Sequence, residues 1–299
     1  MSAAPLFSPA DLKRLDRLAL LTRKAVRGEG PGERRSRRIG TGGQFADHRN
    51  YVLGDDFRYV DWNVYGRHGD LVVKRFESEE NVNLLLCVDR SPSMAGAKSL
   101  EARRFAGALA HMALRRRDAV TLAWLPVLRS GPGGAGGAPV ETFRGPKRID
   151  AVFEILANTP IAGTTRHVED LGVVLAAMKR TGPAMLISDY FDPAGAVGGL
   201  RLLKAHRFEA TAIHVSDVAD VSLPVGEAVR CVDKETGETL DLDATSALVT
   251  AIHAAWRRRA ERLSAWCAAR EIVCQRVDVG RPFWDVLREM VRSGVVTTA

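Results

Sequence analysis

Residues 84–94 read LLLCVDRSPSM, a run of apolar side chains that closes on Asp89 and then places hydroxyls at Ser91 and Ser93. A short, continuous apolar block bounded by turn residues is the pattern of a strand covered on both faces, which is the strand of a parallel sheet. Asp89, Ser91 and Ser93 therefore stand at its carboxyl end, and in open parallel sheets that is where ligands bind. Alternate spacing in extended or turning backbone aims the three side chains to one side. One carboxylate and two hydroxyls are hard oxygen donors, suited to Mg²⁺ or Mn²⁺ and not to zinc, and too few to close an octahedral shell. A simpler role is open to them as well, that of capping the N–H groups of the following helix. A phosphoryl-accepting Asp89 would want a second carboxylate two residues on, and Ser91 occupies that position.

Outward from this stretch the chain alternates. The strand at 82–88 precedes a helical pattern near 98–116, then come AVTLAWLPV, the Gly-rich RSGPGGAGGAP and VETF, which predict two strands joined by a mobile hairpin tip. Helices are predicted near 148–158 and 167–179, a strand at AMLISD, a helix near 193–205 and a strand at ATAIHVS. A polar hairpin at about 228–243, a long helix from 244 to 270, a strand at EIVCQRVDV and a final helix complete the order. Strands alternating with helices of this length predict an α/β, Rossmann-like domain, a mostly parallel sheet flanked by helices.

Two further strand-end loops supply oxygen donors. ANTPIAGTTRHVEDL sets Thr164 and Thr165 after a glycine, and AMLISD ends a buried strand in Asp189. Asp-x-Ser-x-Ser, a Gly-Thr turn and an apolar strand ending in Asp, in that order, resemble the metal-ion-dependent adhesion site of von Willebrand factor type A domains. The resemblance implies Asp89, Ser91, Ser93, Thr164 and Asp189 as ligands of Mg²⁺ or Mn²⁺, with an open position for a partner's Glu or Asp. Thr164 is taken over Thr165 because it directly follows Gly163. Arg90, between the ligands, is expected to point away and to be available for partner contact.

Immediately upstream lies GGQFADHRNYVLGDDFRYVDWNVYGRHGDLVVKRFESEE. Its Phe45, Arg49, Tyr51, Gly54, Asp55, Asp56, Arg58, Asp61, Trp62, Arg67, Lys74, Phe76 and Glu77 resemble the signature of the bacterial domain of unknown function 58 (DUF58) family. The likeness runs from about residue 38 to 216. Proteins resembling this family are commonly encoded with MoxR-type AAA+ ATPases, so it implies a non-enzymatic adaptor or partner of such an ATPase in chaperone-like assembly. Physically, Asp55, Asp56 and Asp61 against Arg49, Arg58, Arg67 and Lys74 form a balanced set, expected to be an ion-pair network that holds a segment of short strands and loops. Nearby guanidinium groups would depress the aspartate pKa values and spoil a general acid. Tyr51, Trp62 and Phe76 are expected to pack, and His48, His68 and His167 to be surface or capping residues.

The first residues predict an amphipathic helix: Ser8 as N-cap, Pro9 at the first helical position, and Leu12, Leu15, Leu18 and Leu21 on one side. Many members of the family carry membrane-spanning helices before the signature. This helix, with Lys13, Arg14, Arg17, Arg23 and Lys24, is expected to dock on the domain, the alternative being an anionic membrane surface. The expected organisation is thus a helix and linker at 1–33, the signature segment at 34–80 and the α/β domain at 81–299. No leader and no run of eighteen uncharged apolar residues is readable, so the expectation is a cytoplasmic protein, peripheral to the inner membrane at most.

The net charge of +7 is spread along the chain apart from RRSRR at 34–38, which is expected to be a solvated run; nucleic-acid binding through it and the amphipathic helix is a competing function. Another is a metal-dependent hydrolase or phosphotransferase, for which Asp189 and Asp192 are the available bases. Four cysteines without CxxC or Cys/His spacing argue against a metal-thiolate site, and no GxxxxGK[ST] loop is present.

Overall fold

The computed structural model describes residues 5–27, 39–77, 82–127, 140–164, 166–191 and 197–294, with backbone alone for 20–27, 39–47 and 75–77. The chain runs through α1 (Pro9–Arg27), β1 (Ile39–Asn50), α2 (Trp62–His68), β2 (Val72–Glu77), β3 (Asn83–Asp89), α3 (Ala97–Arg115), β4 (Ala119–Leu125) and β5 (Val140–Arg144). It continues through α4 (Ile149–Asn158), α5 (His167–Ala177), β6 (Pro183–Ser188), α6 (Gly198–Ala205) and β7 (Glu209–Ser216). Last come β8 (Ala228–Val232), β9 (Thr239–Asp243), α7 (Ser246–Ala268), β10 (Val273–Asp278) and α8 (Phe283–Arg292). These elements divide into two compact units, one made of 1–27 with 82–299 and the other of 28–81.

The larger unit is built on a six-stranded sheet in the order β10-β7-β6-β3-β4-β5. Every neighbouring pair is parallel except β4 with β5, which is an antiparallel edge. β3 is central and buried from Leu84 onward because alternate residues feed opposite faces. Leu84, Leu86 and Val88 join one core with α3, α4, α8 and Leu15 of α1. Leu85 and Cys87 join the other with Leu171 of α5, Leu200 of α6 and Leu263 of α7. Burial pushes the Cys87 thiol up to about 12, so it stays protonated and acts as a small apolar side chain.

From β3 the chain first crosses to β4 and later returns to β3's other side as β6. The strand order reverses there, and the carboxyl ends of β3 and β6 face the resulting crevice.

α1 begins on a reciprocal cap: the Ser8 hydroxyl accepts the Asp11 N–H, and the Asp11 carboxylate accepts both the N–H and the hydroxyl of Ser8. Its apolar stripe lies on α3. Leu15 is fully buried, while Asp16 accepts hydrogen bonds at 2.8 Å from both His111 and Arg115. Phe7, just before the helix, meets Phe153 of α4 and Phe283 of α8 at 5.2 and 6.0 Å between ring centres. A β-carbon on Gly107 of α3 would come within 2.9 Å of the Phe7 ring, so the ring's seat requires glycine there.

The smaller unit pairs β1 with β2 antiparallel, with register shifts between 39 and 44 and between 45 and 47. A twelve-residue β1 replaces the short strands expected of this segment; irregular register, more than shortness, hides its period from the sequence. RRSRR, the Gly-rich 129–139 stretch, Thr165 and Asp192 lie outside the described residues.

Candidate functional site

β3 delivers Asp89 into the crevice and buries it. One carboxylate oxygen accepts the Ser91 N–H at 2.8 Å; the other accepts the Ser188 hydroxyl at 2.6 Å and lies 3.3 Å from His167 Nε2. Burial raises the pKa of such a carboxyl, but His167, Ser188 and the Ser91 amide together outweigh it, so Asp89 falls below its ordinary value and is ionised. Ser91 opens a 3-10 turn at Pro92–Met94, which brings its hydroxyl within 2.9 Å of that of Ser93. The Asp-x-Ser-x-Ser alternation thus folds so that the Ser91 amide meets Asp89 and the Ser91 and Ser93 hydroxyls meet each other.

The other two expected ligands lie on neighbouring segments, the Gly163–Thr164 loop and the end of β6. The Ala162 N–H donates to the Arg90 carbonyl at 2.9 Å, which ties the Gly163–Thr164 loop to the exit of β3, and Thr164 is exposed. Asp189 follows Ser188 at the end of β6 and is buried. One of its oxygens accepts the Phe191 N–H at 3.1 Å, and the other lies 2.7 Å from the Lys98 ammonium. Lys98, in the first turn of α3, is only 2 % exposed and also reaches Asp220 at 2.6 Å. Burial alone would lower the lysine's pKa; Asp189 and Asp220 reverse that, and the ammonium keeps its proton more firmly than in water.

The site has partners that sequence reasoning missed. His167 is buried against Asp89 and Tyr190, not a surface or capping residue, because α5 starts beneath the crevice. Ser188 could have been found as the one polar residue in an apolar strand just before Asp189, whereas Lys98 and Asp220 carry no local signal. Arg90 does not project free: its guanidinium donates twice to the Pro126 carbonyl, at 3.1 and 3.2 Å, and is half-buried.

Does the cluster suit a divalent ion? Its donors are hard oxygens, one ionised carboxylate beside two hydroxyls already within hydrogen-bond distance, and in chemistry they fit Mg²⁺ or Mn²⁺. Among the described residues no three His, Cys, Asp or Glu side chains group as a metal site, so an ion here would rely on neutral hydroxyls.

The charged set of the smaller unit resolves into local pairs. Arg49 holds Asp55 through two hydrogen bonds of 2.6 and 2.7 Å, and Arg58 holds Asp56 at 2.6 Å. Asp61 caps α2, accepting from Asn63 and Val64, and takes His48 at 3.0 Å and Lys74 at 3.3 Å. Hydrogen bonds from their arginines hold Asp55 and Asp56 below the ordinary carboxylate value, and His48 with Lys74 draws Asp61 down to about 2. Arg67 is exposed in the last turn of α2 and forms no ion pair among the described residues. Tyr51 stacks on Phe57 at 5.6 Å, while Trp62, expected to pack, is exposed, with the Tyr65 ring edge-on to it. The side chain of Phe76 is outside the described residues.

Residues 47–262 match the model of a protein family of unknown function, DUF58. Uncharacterized proteins of Mycobacterium bovis and Mycobacterium tuberculosis are 30% identical over 224 residues, which is 70% of this chain and 66% of theirs. The chain thus spans slightly less than two thirds of those relatives. Among solved structures, the conserved hypothetical protein BatB from Bacteroides thetaiotaomicron aligns with a TM-score of 0.40 and 11% identity, over 73% of this chain and 100% of its own. An aerotolerance-related membrane protein from Bacteroides fragilis aligns with a TM-score of 0.38 and 11% identity, over 71% of this chain and 99% of its own. In this chain, among the described residues, no helix is long and apolar enough to cross a membrane.

Proposed function

The chain belongs to the DUF58 family, and on that footing we propose that it is a non-enzymatic protein-binding module of von Willebrand factor A type. Its partner presents a Glu or Asp to the ends of β3 and β6. The observation that carries this reading is the convergence of Asp89, Ser91 and Ser93 beside Ser188 and Asp189 where the strand order reverses. Asp89, Ser91 and Ser93 would hold Mg²⁺ or Mn²⁺, with Thr164 and Asp189 as the outer donors, and the bound ion supplies an open position for the partner's carboxylate. Ser91 and Ser93 are neutral, so they leave that carboxylate a net positive target. His167 and Ser188 fix the orientation of Asp89.

The partner we propose is a MoxR-type AAA+ ATPase, with this chain as its adaptor in chaperone-like assembly, in the cytoplasm or at the periphery of the inner membrane. Nucleotide hydrolysis would be the partner's, since this sequence lacks the phosphate-binding loop for it. Affinity capture on the full chain, with Mg²⁺ and with chelator, tests the reading. A AAA+ ATPase should be retained only with Mg²⁺ and lost in Ser93→Ala and Asp89→Ala variants whose circular dichroism is unchanged. Equal retention in chelator would exclude a metal-dependent contact.

A further inference from the structure

The Lys98 ammonium is the feature that the proposed function does not use. It is enclosed, and its nitrogen lies 2.7 Å from Asp189 and 2.6 Å from Asp220. The Phe191 ring is 5.6 Å away, and Arg259 covers the same ring at 3.7 Å. Asp189 gives its other oxygen to the Phe191 N–H, so both its oxygens are engaged inside the protein. A buried, compensated ammonium is costly to move, because Asp189 left behind would be an unpaired buried charge, whereas Asp220 keeps Lys234. A divalent ion arriving at the serines would also meet twice the repulsion that a monovalent ion would.

We infer that Lys98 is the built-in cation of the strand-end site, and that a divalent ion gains Asp189 only by displacing the lysine toward Asp220. This rests on the metal reading above and deepens it: the ion's affinity is set by exchange with a tethered ammonium. Asp220 is placed to receive the charge. Its second oxygen is 3.3 Å from Lys234, which lies in the turn joining β8 and β9, and that lysine is half-exposed and able to yield. Occupancy of the site would thereby loosen the hairpin's hold on Asp220.

Calorimetric titration of the full chain with MnCl₂ tests the exchange. Lys98→Met should bind at least tenfold more tightly than the parent, whereas Lys98→Arg, which keeps the charge, should bind no more tightly than the parent. Equal affinities for parent and Lys98→Met would overturn the inference while leaving the metal reading intact. No binding by either protein at millimolar MnCl₂ would overturn both.

Should Lys98→Met fail to fold, the parent decides. Enclosed ammonium protons exchange slowly enough for NMR, and the Lys98 resonance, assigned through Lys98→Arg, should shift with Mg²⁺ at the calorimetric midpoint. A resonance that stays fixed while heat reports binding would show that the ion does not contact the Lys98 pair, and the inference would fall.

Discussion

The aspartates of the two units use the same chemistry in opposite surroundings. Asp89 and Asp189 are buried, each held by donors from distant parts of the chain, including Ser188, His167 and Lys98. Asp56 is exposed and Asp55 partly so, each held by an arginine no more than six residues away. Short distances alone do not separate the two sets. What separates them is water: in the crevice a lost partner strands a charge, while in the smaller unit solvent replaces it. Asp61 lies between the extremes, since it is partnered across β1 and β2 yet still meets solvent.

The contrast can be broken at its strong end first. Lys98→Ala should lower unfolding stability in urea by about 3–5 kcal/mol, because buried Asp189 loses its counter-ion and Asp220 is left with Lys234 alone. A loss near zero would place the lysine in solvent and dissolve the distinction. Ser188→Ala removes one donor to the ionised Asp89 and should cost about 1.5–3 kcal/mol by the same measurement.

At the intermediate site the readout is pH. Asp61 has a folded pKa of about 2 against an ordinary 3.8. Its stabilising effect is therefore complete above pH 3.8 and is lost as pH falls toward 2. A carboxyl-carbon NMR titration should give a midpoint near 2, moved upward in His48→Ala; a midpoint unmoved by that change would remove His48 as its main cause. Smallest of all, Arg58→Ala should leave the urea midpoint unchanged, and a clear drop would mean that the smaller unit's pairs matter as the crevice's do.

The same contrast explains what could be read from the sequence. The order of strands and helices from Leu84 onward was legible because β3 and β6 are continuous apolar runs, and such runs form only where both faces are covered. Asp89, Ser91, Ser93 and Asp189 were legible as polar residues ending those runs. The local pairs of the smaller unit were legible for the related reason that their members are close in sequence. Lys98, His167 and Asp220 were not, since their roles arise from contacts across 78 or more residues, or from burial that nothing local announces. Trp62 is exposed although its sequence surroundings predict packing, because composition cannot tell a covered aromatic from an exposed one.

Phe7 packs on Phe283 as well as on Phe153, and Gly107 leaves room for its ring. Phe283 lies in the last helix described, so the ring cluster links the segment before α1 to α8. Removing α8 would therefore uncover one side of the Phe7 ring while Leu15 of α1 keeps its cover on α3.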